Sequence, residues 1–325
     1  MDTHLFSFHK HFSQTRFPLT IVKKTGLGAC LWMMLLGGCV SHPFENLEEW
    51  NEIRTRHFIF YSNAEEDVAL EIAKNLENFR TIALKMTDIP PFQDPSLRVY
   101  VFKNESSFTP FQPVEDVGGF FIPGPNYIAM NAGAWNLSAS TIIYHEFIHY
   151  LLSKHPARFP RWYDEGLAGL FQTFEYQDGT VKFGIPPSDM WLWLNDLPVW
   201  IPMERLLWDQ VDFLEHQGLT NAHAQAWAMM HYFFFGKEEN FLKLGRYIFL
   251  VNNGMQPPMA LMEACGLTPE GLLKEVKQHI AQESLHYSTM PLTQFNKDSN
   301  YQFLPIAQVE AKRVLQELLV LIKKY

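Results

Sequence analysis

The feature that most limits what this chain can become is the run Tyr144-His145-Glu146-Phe147-Ile148-His149-Tyr150. Side chains four apart stack on one face of a helix. A helical reading therefore sets the imidazoles of His145 and His149 side by side, with Glu146 next to them. Ile142, Ile143, Phe147, Ile148, Leu151 and Leu152 supply the apolar surface to bury such a helix. Ser138, Ser140 and Thr141 are candidate N-caps, and Pro156 and Pro160 end it. Two core histidines would satisfy this pattern, but they would leave Glu146 charged and unpaired in the same apolar surroundings, a costly arrangement. Sharing one cation removes the difficulty, and this spacing is the one used by zinc hydrolases. Such an ion needs a third protein ligand. Glu165, sixteen residues after His149 within Pro160-Arg161-Trp162-Tyr163-Asp164-Glu165-Gly166, is the candidate. Pro160 suits the first turn of the helix that would carry it. The fourth position is left for water, with Glu146 as its general base.

His145-Glu146-x-x-His149 followed by Trp162-x-x-Glu165-Gly166-Leu167-Ala168 resembles the gluzincin branch of zinc metallopeptidases, the group of thermolysin-like enzymes and large zinc aminopeptidases. Residues 57–280 also resemble an uncharacterised family of bacterial lipoproteins with a peptidase-like zinc domain. The matching pieces are His57-Phe58-Ile59-Phe60-Tyr61-Ser62, the helix after it, Val99-Tyr100-Val101-Phe102 and Gln225-Ala226-Trp227-Ala228. The resemblance implies zinc held by His145, His149 and Glu165, and Glu146 as catalytic base. It implies a thermolysin-like zincin fold: α+β, with a small mixed sheet whose hairpin edge packs on the metal helix, then a mostly helical C-terminal part. Two departures stand out. Thermolysin-like enzymes place an Asp four residues after the glutamate ligand to orient a histidine; here that position is Gly169. The aminopeptidases bind a free amine with a glutamate on a strand, and the comparable Asn126-Tyr127-Ile128-Ala129-Met130-Asn131 has no acid.

The chain begins with a segment that reads as address rather than fold. Lys23 and Lys24 precede an apolar stretch at residues 27–36, then Leu36-Gly37-Gly38-Cys39. A basic flank, a short apolar core and small residues before a cleavage point are the marks of a secretory signal, and the stretch is short for a membrane span. Leu-x-Gly-Cys resembles the bacterial lipoprotein processing site, which would make residues 1–38 the signal peptide and Cys39 the lipidated anchor. Val40 after the cysteine is, by resemblance to sorting rules, a mark of the outer membrane, with the protein facing the periplasm. The remaining chain carries 22 basic and 34 acidic residues, net −12. Such a surface is not drawn to anionic headgroups or nucleic acid, so attachment falls to the acyl chains. Of three cysteines only Cys265 lies beyond the anchor, which excludes an internal disulfide and reads as a core thiol.

Residues 39–50 read as a tether and 51–175 as the α/β zincin subdomain. Residues 57–62 alternate as a half-buried strand. Asn63-x-x-Glu66 has the form of a capping box, and Val68, Ile72, Leu76, Phe79, Ile82 and Met86 recur at helical spacing until Pro90 and Pro91. Residues 97–102 read as a second strand, making a crossover unit. Two apolar runs around Pro123-Gly124-Pro125-Asn126 read as a hairpin. In gluzincins the matching edge is where an extended peptide lies, which backbone pairing alone can hold. Residues 176–286 read as a helical subdomain, with helices at 221–235, 240–251, 258–265 and 269–286. Trp191, Trp193, Trp200 and Trp208 crowd its start and read as core packing. His223 or His231 on the first of these helices could reach the cleft and donate to a developing oxyanion, with His223 preferred. Residues 287–325 form a tail and a last helix at 306–324 that covers the domain.

The expected function is peptide or protein hydrolysis at a membrane-anchored zinc site. Two alternatives use the same residues: a zinc-bearing lipoprotein acting as a non-catalytic binding or assembly factor, and a hydrolase of non-peptide amide or ester bonds. The anchor is testable alone. Cys39→Ala should abolish fatty-acid labelling and move the protein out of the membrane fraction; labelling that persists in the variant rules out Cys39 as the lipid site.

Overall fold

Strict alternation of large apolar side chains builds the main sheet of this protein, here a computed structural model describing residues 4–7, 44, 47–87, 89, 97–113, 117–133, 139–177, 179–187, 190–191, 194, 200–211, 213, 218–291 and 301–324. Strands β1 (His4–Ser7) and β2 (Asn51–Arg54) precede the crossover β3 (Phe58–Ser62), α1 (Glu66–Thr87), β4 (Leu97–Phe102). The short α2 (Glu105–Phe108) leads to the hairpin β5 (Val117–Ile122) and β6 (Tyr127–Asn131). Then come α3 (Ala139–Ser153), α4 (Arg161–Phe171), β7 (Glu175–Gln177) and β8 (Thr180–Phe183). The remainder comprises α5 (Met203–Leu207), α6 (Gly218–Phe235), α7 (Glu238–Asn252), α8 (Pro257–Cys265), α9 (Pro269–Ile280), β9 (Ser288–Pro291), β10 (Phe303–Pro305) and α10 (Gln308–Ile322).

The architecture is α+β. Six strands run in the order β5-β6-β4-β3-β2-β10, and β1 adds a seventh beyond β5. The pairs β3–β4 and β4–β6 are parallel, and the others are antiparallel. Phe58, Phe60, Val99, Val101, Phe121, Ile128 and Met130 point to one face, where α1 and α3 bury them. Their neighbours Tyr61, Tyr100, Phe102, Phe120 and Tyr127 point to the other, under Ala311, Val314, Leu315 and Leu318 of α10. The last helix is thus the cover that its leucine and valine content implies. It is pinned by polar contacts: Tyr127 donates to Glu317 at 2.5 Å, and Arg98 donates to Tyr127 at 2.5 Å and to Glu317 at 2.9 Å. The strand expected as half-buried therefore has both faces covered. Phe44, within the expected tether, is buried against Phe111.

The hairpin turn reverses through Gly124 (φ 88°) and Asn126 (φ 59°), backbone settings that glycine and asparagine tolerate best. Lys154 at the end of α3 donates to the Asn126 side chain at 3.1 Å, holding the turn against the metal helix.

Several expected details differ. Asn63 does not cap α1: its side chain accepts from the Lys103 amide at 2.9 Å and donates to Glu48 at 2.8 Å, bridging strand ends instead. A capping box does form at Asn104 and Ser107. Ser140 and Thr141 lie inside α3, and Ser138 falls outside the described residues. The helix expected through 286 stops at Ile280, because Leu272, Val276 and Ile280 are its last buried residues on that spacing. The chain then forms β9, in the expected tail, which joins β7 and β8 in a three-stranded sheet that the sequence reading did not expect. Of the four crowded tryptophans, Trp191 and Trp200 pack on the core, Trp208 is exposed, and Trp193 lies outside the described residues. Residues 27–36 and Cys39 also lie outside them. Among the described residues no helix is long and apolar enough to cross a membrane.

Helices α6 and α9 are joined by a buried histidine pair, His231 Nδ1 to His279 Nε2 at 2.8 Å. Burial pushes both imidazoles down, His231 to about 3 with His279 adding to the push, and His279 to about 4 with His286 adding to it. The unfolded chain accepts protons near pH 6.5 that the folded pair refuses, so this contribution is complete above pH 6.5 and drains away as pH falls toward 4. Each group can contribute a slope of at most about 1.4 kcal/mol per pH unit. His279→Gln should therefore flatten the fall of the urea midpoint between pH 7 and 5. An unchanged slope would show that the pair is not what acid attacks.

Candidate metal centre

Three helices bring the site together. His145 and His149 sit one turn apart on α3, Glu165 lies mid-way along α4, and His223 lies near the start of α6. Helices α4 and α6 approach at backbone distance because Gly166 has no side chain: a Cβ there would lie 2.5 Å from the Ala226 carbonyl oxygen. That contact sits beside Glu165 and one turn from His223, which is how two residues far apart in sequence come to face one another. All four side chains are buried.

His145 Nε2 and His149 Nε2 are 3.0 Å apart. Glu165 Oε2 is 3.5 Å from the first and 3.6 Å from the second. Ligands about 2.0–2.2 Å from a tetrahedrally bound ion lie about 3.3–3.6 Å from one another. The observed triangle is close to that size, so these three residues can hold a metal ion. His223 Nε2 stands 3.2 Å from the same Glu165 oxygen but outside the group of three. His223 thus lies beside the triangle and is not part of it.

The tautomer of His149 follows from its other nitrogen. Nδ1 is 2.8 Å from Asp164 Oδ1, a carboxylate that accepts its N–H and so leaves the Nε2 lone pair toward the triangle. Asp164 directly precedes Glu165, so one turn of α4 supplies both a ligand and an orienting acid. The position four residues after Glu165 is Gly169 and offers no such acid. At that later position, a Cβ on Gly169 would lie 3.6 Å from the Trp227 side chain.

Charge is distributed unevenly. Burial drives His145 down to about 3, which keeps it neutral and able to coordinate. Burial works against the Glu165 charge, yet His149 and His223 outweigh it and hold the carboxyl well below its usual range. Glu146 goes the other way: burial first, then the Glu165 and Asp164 charges, push it well above the ordinary carboxylate value. Neither Glu146 oxygen makes a hydrogen bond of ordinary geometry, the Phe121 amide being the group that offsets the shift. Two adjacent carboxylates thus have opposite protonation tendencies.

Another residue considered from the sequence falls elsewhere: His231 is spent on His279. Two residues with no assigned role in the sequence reading do lie near the site: Arg161 and Phe213, the latter edge-on to His223 at 5.3 Å. The spacing of Arg161, one turn before Glu165, was the available signal; Phe213 comes from a loop and had none. No protein-family model matches this chain and no curated protein was found to be related to it, so the gluzincin resemblance rests on the motif residues and this geometry.

Asp164→Asn should weaken metal binding by about 10–100-fold, since the amide no longer fixes the ring as a charged acceptor does. Competition against a chromophoric chelator measures it. An unchanged affinity would make Asp164 a bystander.

Proposed function

We propose that this protein is a zinc-dependent metallopeptidase, lipid-tethered through Cys39 to the outer membrane and facing the periplasm, that hydrolyses peptide bonds with water as nucleophile. The observation that carries the reading is Glu146: a carboxyl fully buried beside the His145–His149–Glu165 triangle, with neither oxygen in a hydrogen bond of ordinary geometry. A buried acid without such a partner costs stability, and a structural metal site has no use for one. A general base has such a use, because an elevated affinity for protons is what it needs.

Two imidazoles and one carboxylate are a ligand set suited to zinc with a position left open. Bound there, zinc would supply Lewis acidity that brings the pKa of water toward neutrality and offsets negative charge on a carbonyl oxygen. Glu146 accepts the proton of the attacking water and returns it to the departing nitrogen. Its dry surroundings make the intermediate protonated state comfortable. His223, held against Glu165, donates to the carbonyl oxygen as charge builds there. Asp164 keeps His149 in its coordinating tautomer. Substrate binding has support in the outer edge of β5: its backbone groups pair with β1, which lies in the segment read as signal peptide and would leave with it. An extended peptide could use the same backbone groups without particular side chains.

Glu146→Gln should retain one zinc per chain and lose cleavage of casein by about 10²–10⁴-fold. Elemental analysis beside a cleavage assay checks both. Full turnover in the variant would remove Glu146 from the chemistry, and zinc loss would make it structural.

A further inference from the structure

Among the described residues, one cation near the metal triangle has a buried N–H with no hydrogen-bond partner. Arg161 opens α4 four residues before Glu165, so the two share a side of the helix, about 6 Å apart along its axis. The Arg161 guanidinium carbon rests 5.2 Å over the ring of Phe213. Phe213 meets His223 edge-on at 5.3 Å, and His223 Nε2 is 3.2 Å from Glu165 Oε2. Guanidinium, ring, imidazole and carboxylate thus form a continuous run ending at the ligand.

The Arg161 head group is poorly satisfied. Its Nε is shielded from water and makes no hydrogen bond, and no described carboxylate lies within ion-pair distance of it. The neighbouring acid, Asp209, uses Oδ1 to accept the Arg161 backbone N–H at 2.9 Å. Burial pushes Asp209 up to about 6, despite the opposing pull of Arg161. A shielded N–H without an acceptor is costly. A guanidinium stacked on an aromatic face presents a planar fork that matches a carboxylate.

We propose that Arg161, seated on Phe213, is a carboxylate-binding subsite beside the metal centre that accepts an acidic group of the substrate, either the terminal carboxylate or an Asp or Glu side chain. The location of the reacting bond rests on the metallopeptidase reading; the subsite itself does not.

The test uses the zinc-loaded protein and three zinc-chelating hydroxamate dipeptides. One ends in a free carboxylate, one in a carboxamide, and one in a carboxamide with a Glu side chain. One acidic compound should bind about tenfold tighter than the neutral one, as a charge-assisted pair would give, and the winner identifies the source of the carboxylate. Arg161→Gln should erase the preference while leaving zinc content and the affinity of the neutral compound unchanged. Arg161→Lys should keep only part of it. Equal affinities, or a preference that survives Arg161→Gln, would overturn the proposal. Casein cleavage by the same preparation reports separately: preference without cleavage sinks the peptidase reading alone, and cleavage without preference sinks the subsite alone.

Discussion

A carboxylate taken out of water stays charged only where cations or donors replace its hydration. Glu165 depends on that replacement, and the surrounding structure is arranged to provide it. His145 and His149 come from α3, His223 from α6, and each reaches the same oxygen within 3.2–3.6 Å. Remove the close passage of α4 over α6 at Gly166 and the third imidazole withdraws. Remove Asp164 and the second loses its orientation. The adjoining acid, Glu146, has only the Phe121 amide to set against burial and takes on the opposite character. Different neighbours divide two chemically identical groups into a carboxylate that keeps its charge and a carboxyl that holds its proton.

The sheet matters to this because it fixes α3. Alternating residues of β4 and β6 give each face of the sheet its own apolar layer. One layer seats α1 and α3; the other is closed by α10. The antiparallel hairpin at one end then lies alongside α3, tied by Lys154 to its turn. A hairpin packed next to the metal triangle is a consequence of this order.

Much of this was legible in the residues. The two-fold alternation at 57–62 and the three-and-four spacing of α1 gave strand and helix with bounds close to those found. The histidine pair and Glu165 were readable because ligand chemistry constrains spacing within one helix and its successor. What could not be read depended on tertiary approach. His223 was a bet among histidines, since only the glycine-permitted closeness of α4 and α6 brings it to Glu165. The missed capping at Asn63 has the same origin: a local pattern lost to a distant backbone amide at Lys103. The strand β9 carries no strong alternation and exists through its pairing with β8. Phe213 matters solely through its neighbours.

The Gly166 contact has a mechanical implication. Helices α4 and α6 touch backbone to backbone, so Glu165 and His223 travel as one stiff unit, while His145 and His149 belong to the unit built on the sheet. An ion gripped by all three ligands would act as a bolt through the seam between these units. Its departure would leave α3 joined to the α4–α6 pair by apolar packing and by the His149–Asp164 hydrogen bond.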